Sequence, residues 1–106
     1  MFMDKIFKAL ADNNRRRMLD RLFAQPGLTL SELVADVEMA RQSASRHVSI
    51  LEQAGLVVTH WSGREKLHYL NPVPLTEISE RWIDKFSRRK AGTLVALKQA
   101  LEEQEK

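Results

Sequence analysis

The chain contains no cysteine, which excludes disulfides, thiolate metal sites and thiol redox chemistry together. It has no apolar run near the ~20 residues that a membrane-spanning helix requires. The opening stretch MFMDKIFKALADN sets acids among its apolar residues and lacks the continuous apolar segment of a secretory signal. A cytoplasmic protein is expected. No nucleophile–base pair, paired catalytic carboxylates, Gly-rich phosphate loop or metal-ligating cluster stands out. The residues therefore point away from an enzyme, and no cofactor or metal is expected.

What is present suits one small domain covering residues 1–106. Hydrophobic residues make up 43% of the 106 positions, enough for a core. A chain this short buries a smaller share of its surface than a larger one, and dimerisation would offset that. The formal net charge of +3 exerts a mild pull on polyanions, and its distribution is more informative than its sum. Residues 1–24 carry six Lys or Arg against three acids, residues 25–40 carry three acids and no base, and residues 41–66 carry four bases and two acids.

Hydrophobic spacing organises the chain into helices and one hairpin. Ile6, Phe7 and Leu10 define a short first helix over 4–11. Asp12 caps a second, whose stripe is Met18, Leu19, Leu22 and Phe23 and which Pro26-Gly27 stops. Thr29-Leu30-Ser31-Glu32 is a capping box, opening a third helix of about two turns with Leu30, Leu33, Val34 and Val37 as its apolar side. After a break at 38–41, Ala44, Val48, Ile50 and Leu51 mark the buried side of a fourth helix, closed by Ala54-Gly55. Leu56–Trp61 and Lys66–Leu70 read as two strands about a turn at Ser62-Gly63, with Arg64 at the tip. Asn71-Pro72-Val73-Pro74 ends the hairpin. From Leu75, the residues Ile78, Trp82, Phe86, Leu94, Leu97 and Leu101 continue at helical spacing, with Gly92 as a point of bending or division. Helices followed by a hairpin and a last helix describe a mainly α winged helix-turn-helix: helix-turn-helix 29–55, wing 56–71, C-terminal helix 75–104.

If Ala44, Val48 and Leu51 face the core, Arg41, Gln42, Ser45, Arg46 and Ser49 face outward at about 100° per residue. That face has no acid before Glu52. Arg can pair two donors with guanine, Gln can bridge adenine, and Ser can reach base or phosphate. Backbone N–H groups at the helix start favour a phosphate as well. An ordinary polar helix surface would look similar in isolation; the hairpin that follows distinguishes the two.

The stretch LTLSELVADVEMARQSASRHVSILEQAGLVVTHWSGREKLHYLNP resembles the DNA-binding core of the ArsR/SmtB family of bacterial repressors. IFKALADNNRRRMLDRLF is similar to that family's start, so the likeness runs from residue 4 to about residue 75. Its most specific marks are Ser45-Arg46-His47-Val48 and Glu52-Gln53-Ala54-Gly55-Leu56. The resemblance implies a transcriptional repressor that binds double-stranded DNA at a palindromic operator as a homodimer. The fourth helix would lie in the major groove, and the wing, through Arg64 and Lys66, along the backbone or the minor groove. The DNA-facing set is then Arg41, Gln42, Ser43, Ser45, Arg46, His47, Arg64 and Lys66. For His47, contact with phosphate and packing beside the third helix both stand as readings. The dimer would form through the first and last helices, with Ile6, Phe7, Leu10, Ile78, Trp82, Phe86, Leu94, Leu97 and Leu101 on the interface.

The sequence departs from the family's metal sensors. Thr29, Ser31 and Val34 occupy the stretch where such proteins carry cysteines, and the terminal helix has no His. Ala40 stands where a Ser cap is usual, which forfeits ~1 kcal/mol of capping, and Asn13 where Pro is common. His60 and His68 flank the hairpin turn, but without a carboxylate partner they read as solvated wing residues. Arg15-Arg16-Arg17 opens the second helix, where the helix dipole disfavours cations; either an acidic or phosphate partner holds them, or they pair with Asp12 or Asp20. Trp61 and Trp82 read as core and interface packing. Two other functions are compatible with this scaffold: a protein–protein interaction module, and a regulator responsive to a small ligand. The inducer is unknown.

Overall fold

Asp12 and Arg15 set the first corner of the molecule. The structure, a computed structural model, describes residues 2–35, 38–85 and 91–104. Helix α1 (Phe2–Leu10) is followed at once by α2 (Asn13–Ala24), whose N-cap Asp12 accepts a hydrogen bond from the Arg15 backbone N–H at 3.1 Å. That bond, reinforced by the Arg15 charge, holds the Asp12 carboxyl below its ordinary value against the opposing effect of desolvation. The last carbonyls of α1 have no intrahelical partner. Arg15 Nε donates to Ala9 O at 2.7 Å and Arg15 Nη2 to Lys8 O at 3.0 Å, while Arg16 Nη1 donates to Leu10 O at 2.7 Å. Cations that would be misplaced at the start of α2 thus complement the negative end of α1. For Arg15 and Arg16, backbone carbonyls take the place that the sequence leaves open to a phosphate or acidic partner or to pairing with Asp12 or Asp20.

The third helix, α3 (Leu30–Leu33), is a single turn rather than two. Its capping box is complete: Thr29 Oγ1 accepts from the Glu32 N–H at 3.3 Å, and Glu32 Oε1 accepts from the Thr29 N–H at 3.1 Å. Val34 is the C-cap and half-buried; Val37, assigned to this helix from the sequence, lies outside the described residues. Helix α4 (Arg41–Gln53) ends as its glycine requires. Gly55 has φ of 76°, its N–H donates to Glu52 O, and the Leu56 N–H reaches back to Leu51 O, the two bonds of a Schellman motif.

Strands β1 (Val57–Ser62) and β2 (Glu65–Leu70) pair antiparallel, with Ser62 opposite Glu65. The two-residue turn places Gly63 first with φ of 62°, the glycine position of a type II′ turn. Leu28 bridges to the far side of the hairpin at His68. Its carbonyl accepts from the His68 backbone N–H at 2.8 Å and from the His68 ring Nδ1 at 2.9 Å. His68 is therefore a buried clasp between the helices and the wing, not a solvated wing residue, while His60, facing the other side of the hairpin, is exposed as expected. Asn71 closes the hairpin base by donating to Gly55 O at 2.8 Å, and accepts from the Val73 N–H at 3.3 Å.

The element order is that of a winged helix-turn-helix. The chain falls into two compact units, Met1–Pro74 and Leu75–Lys106. In the first, Ile6, Met18, Leu22, Leu33, Leu51 and Leu56 are fully buried. Ile6, which the sequence places on a dimer interface, is thus committed to the chain's own core, while Phe7 is 45% exposed. Phe23 leaves the expected α2 stripe and stands 78% exposed. Trp61 is 62% exposed rather than packed.

Helix α5 (Val73–Ile78) begins two residues earlier than the sequence suggested, because Pro74 falls in its first turn, where no N–H is needed. A π-helical turn, Ser79–Ile83, follows, in which the Asp84 N–H bonds Ser79 O and Ser79 Oγ donates to Asp84 Oδ1 at 3.2 Å. Helix α6 (Ala91–Gln104) is the last described element, with Gly92 in its first turn and Val95, Leu97 and Leu101 exposed. Phe86 and the side chain of Leu94 lie outside the described residues.

The capping box gives a test. The Thr29 N–H, followed by the Thr29 hydroxyl, holds the Glu32 carboxyl below its ordinary 4.5. A depressed carboxyl contributes stability that is fully present above the unfolded value and lost as pH falls through the folded one. Thr29→Ala is expected to lower the unfolding free energy by about 1 kcal/mol at neutral pH. In urea melts, the gap between wild type and mutant should narrow below the ordinary Glu value.

Candidate nucleic-acid interface

Helix α4 is rotated by its buried stripe. Ala44, Val48 and Leu51 are at most 4% exposed, so the remaining positions are distributed by the 100° step of the helix. Gln42 and Arg46 lie furthest from the core. Arg41, Ser45, Ser49 and Glu52 form one flank, and Ser43, His47 and Ile50 the other. Arg41, Gln42, Ser43, Ser45 and Arg46 are exposed. Among the described residues, none of their side chains makes a hydrogen bond or ion pair. Ala40 at the N-cap offers no side-chain acceptor, so the first-turn N–H groups are open to an external anion.

The flank bearing Arg41, Ser45 and Ser49 faces the wing across an open groove of about 700 Å³, whose far wall carries Trp61, Arg64 and Lys66. Arg64, at the wing tip, is exposed and also without an ion pair among the described residues. On the opposite flank a smaller notch of about 320 Å³ is lined by Lys8, Arg15, Ser43, Arg46, His47 and Ile50. The result is a polar, cation-rich helix with a β-hairpin beside it, the geometry with which a helix and wing read a duplex.

Known proteins share this fold. A model of the helix-turn-helix domain matches residues 10–60. The uncharacterized HTH-type transcriptional regulator YuzN of Bacillus subtilis is 39% identical over 87 residues, covering 76% of this chain and 95% of that protein. The transcriptional repressor SdpR of the same organism is 31% identical over 84 residues, covering 79% of this chain and 91% of that protein. The crystal structure of the ArsR family transcriptional regulator RHA00566 superposes with a TM-score of 0.71 at 36% identity, covering 82% of this chain and 88% of that one. The chain belongs to the ArsR family of helix-turn-helix transcriptional regulators.

These relatives are DNA-binding regulators, not enzymes. In this ArsR-family chain no described helix is long and apolar enough to cross a membrane, and no three His, Asp or Glu side chains cluster as metal ligands among the described residues.

Two residues of the expected DNA-facing set have partners inside the regulator. His47 is half-buried, and its Nδ1 lies 3.0 Å from Arg15 Nη1 and 4.0 Å from Asp12 Oδ1. Arginine has no acceptor, so in this contact Arg15 donates and His47 Nδ1 accepts. His47 packs on the start of α2, a partner that neither sequence reading named. Lys66 Nζ lies 3.6 Å from Glu52 Oε1, which ties β2 to the end of α4. Sequence reasoning also passed over Lys8, and Trp61 as a groove wall. A helical wheel of α4 signals that a second flank exists, but nothing local signals which residue of α1 meets it.

The Lys66–Glu52 pair is partly exposed and contributes little to stability, roughly 0–1 kcal/mol. Its removal should matter more for DNA. Glu52→Gln deletes an acid from the groove and frees Lys66 for a phosphate. It is expected to tighten binding to duplexes of any sequence and to steepen the salt slope by about 0.9, as read by fluorescence anisotropy across a salt series. Weakened binding would show instead that the pair orders the wing.

Proposed function

We propose that this regulator is a sequence-specific repressor that binds a palindromic operator as a homodimer. The observation that carries the reading is the exposed, unpaired set Arg41, Gln42 and Ser45 at an uncapped helix start, beside a wing tip bearing Arg64. Long and small hydrogen-bonding side chains in that position suit base edges, and a lone exposed arginine on a hairpin suits phosphate. Repression is favoured by the likeness to SdpR, which is named a repressor.

The dimer is favoured by the apolar side chains that α6 leaves in water, Leu97 and Leu101. A two-fold dimer would use the same patch on both subunits. Two copies of α4 would then meet major grooves about 34 Å apart. Sedimentation at micromolar concentration should give twice the chain mass; a monomer would contradict the reading.

Base readers and phosphate contacts leave different signatures. Gln42→Ala should cost ~1–3 kcal/mol on the preferred sequence and relax selection at one position of each half-site. Arg64→Ala should weaken all duplexes alike and flatten the salt slope by about one. Both are measured on the duplex enriched from a random pool and on its scrambled counterpart. Equal losses for both mutants on both duplexes would overturn the division of labour between α4 and the wing.

A further inference from the structure

A helix lying in the major groove has a sugar–phosphate wall on each side, the groove being about 12 Å wide. On the wing flank of α4, Arg64 meets one wall. On the other flank lies the notch at the junction of α1, α2 and α4. We infer that this notch, through Lys8 and Arg46, binds a backbone phosphate of the strand opposite the one the wing touches. The inference rests on the DNA-binding reading above and adds α1 to the interface.

Three cations, Lys8, Arg15 and Arg46, line the notch, with Ser43 as a neutral donor and no acid on its walls. Asp12, whose Oδ1 lies 4.0 Å from His47 Nδ1, is engaged by the Arg15 backbone N–H. Arg15 is fixed before any ligand arrives: its Nε, Nη1 and Nη2 each already make one bond, to Ala9 O, His47 Nδ1 and Lys8 O. A guanidinium carries five N–H donors, so two remain along with the full charge, held without further ordering cost. Lys8 and Arg46 are exposed and, among the described residues, make no side-chain hydrogen bond or ion pair. Lys8 projects from the end of α1 as a point charge on a flexible stem, which suits a phosphate better than a base edge. A structural explanation accounts for Arg15, which caps α1, but not for two further free cations converging on the same concavity.

The test uses the full chain, with a random-sequence duplex and the duplex enriched by selection, in anisotropy titrations across a salt series. Lys8→Ala should weaken binding to both duplexes by the same factor, several-fold at low salt, and reduce the salt slope by about one. Lys8→Glu should weaken it further, and Lys8→Arg should restore it. Lys8→Ala combined with Arg64→Ala should show multiplied losses and a slope reduced by about two, since the sites share no partner. Lys8 is exposed, so thermal melts of these variants should match the parent. Wild-type binding to both duplexes with unchanged affinity and slope in Lys8→Ala and Lys8→Glu would overturn this site alone. A wild type that binds neither duplex would overturn the DNA reading and this site with it.

Discussion

The rotation of α4 about its own axis is the constraint on which the rest depends. Ala44, Val48 and Leu51 are buried, as are Leu22, Leu33 and Leu56, and no other rotation of the helix buries all three. Once they are placed, the 100° step assigns every other side chain of the helix to water, to the wing flank or to the α1 flank. Ala44 allows close approach because it is small, and a larger residue there would have to overpack a filled interior. The functional face is thus the complement of a packing requirement: what the core does not take is offered to a partner.

Two polar devices then fix what stands beside the helix. Arg15 joins the end of α1 to His47 on α4. The shared Leu28 carbonyl joins the helices to His68 on the wing. Both include buried or half-buried hydrogen bonds, which contribute modestly when made and cost more when one partner is lost. They determine position more than total stability. A wing anchored at His68 and at Asn71 presents Arg64 at a defined place, and an α1 anchored by Arg15 does the same for Lys8.

The features legible in the sequence are the local ones. The capping box at Thr29 and Glu32, the Asp12 cap, the Gly55 closure and the Gly63 turn each involve residues within a few positions, so pattern alone reveals them. The α4 face was legible for the same reason, because 3.6-residue periodicity is local. What sequence reasoning missed is long-range. His68 meets a carbonyl 40 residues away, and Arg15 meets His47 across 32 positions. No local pattern tells a clasping histidine from a solvated one. The apolar strip that carries Ile6 also fits an interface; only the three-dimensional core shows where that side chain goes. Pro74 misled in the other direction, since a proline ends a helix or begins one according to which backbone N–H groups already have partners.

In the proposed dimer, paired copies of α4 read two half-sites of one duplex. The most direct test is selection of bound sequences from a random DNA pool by this chain. The account predicts an enriched inverted repeat with half-site centres about one helical turn, or a whole multiple of it, apart. Recovery of sequences no different from the starting pool would contradict it.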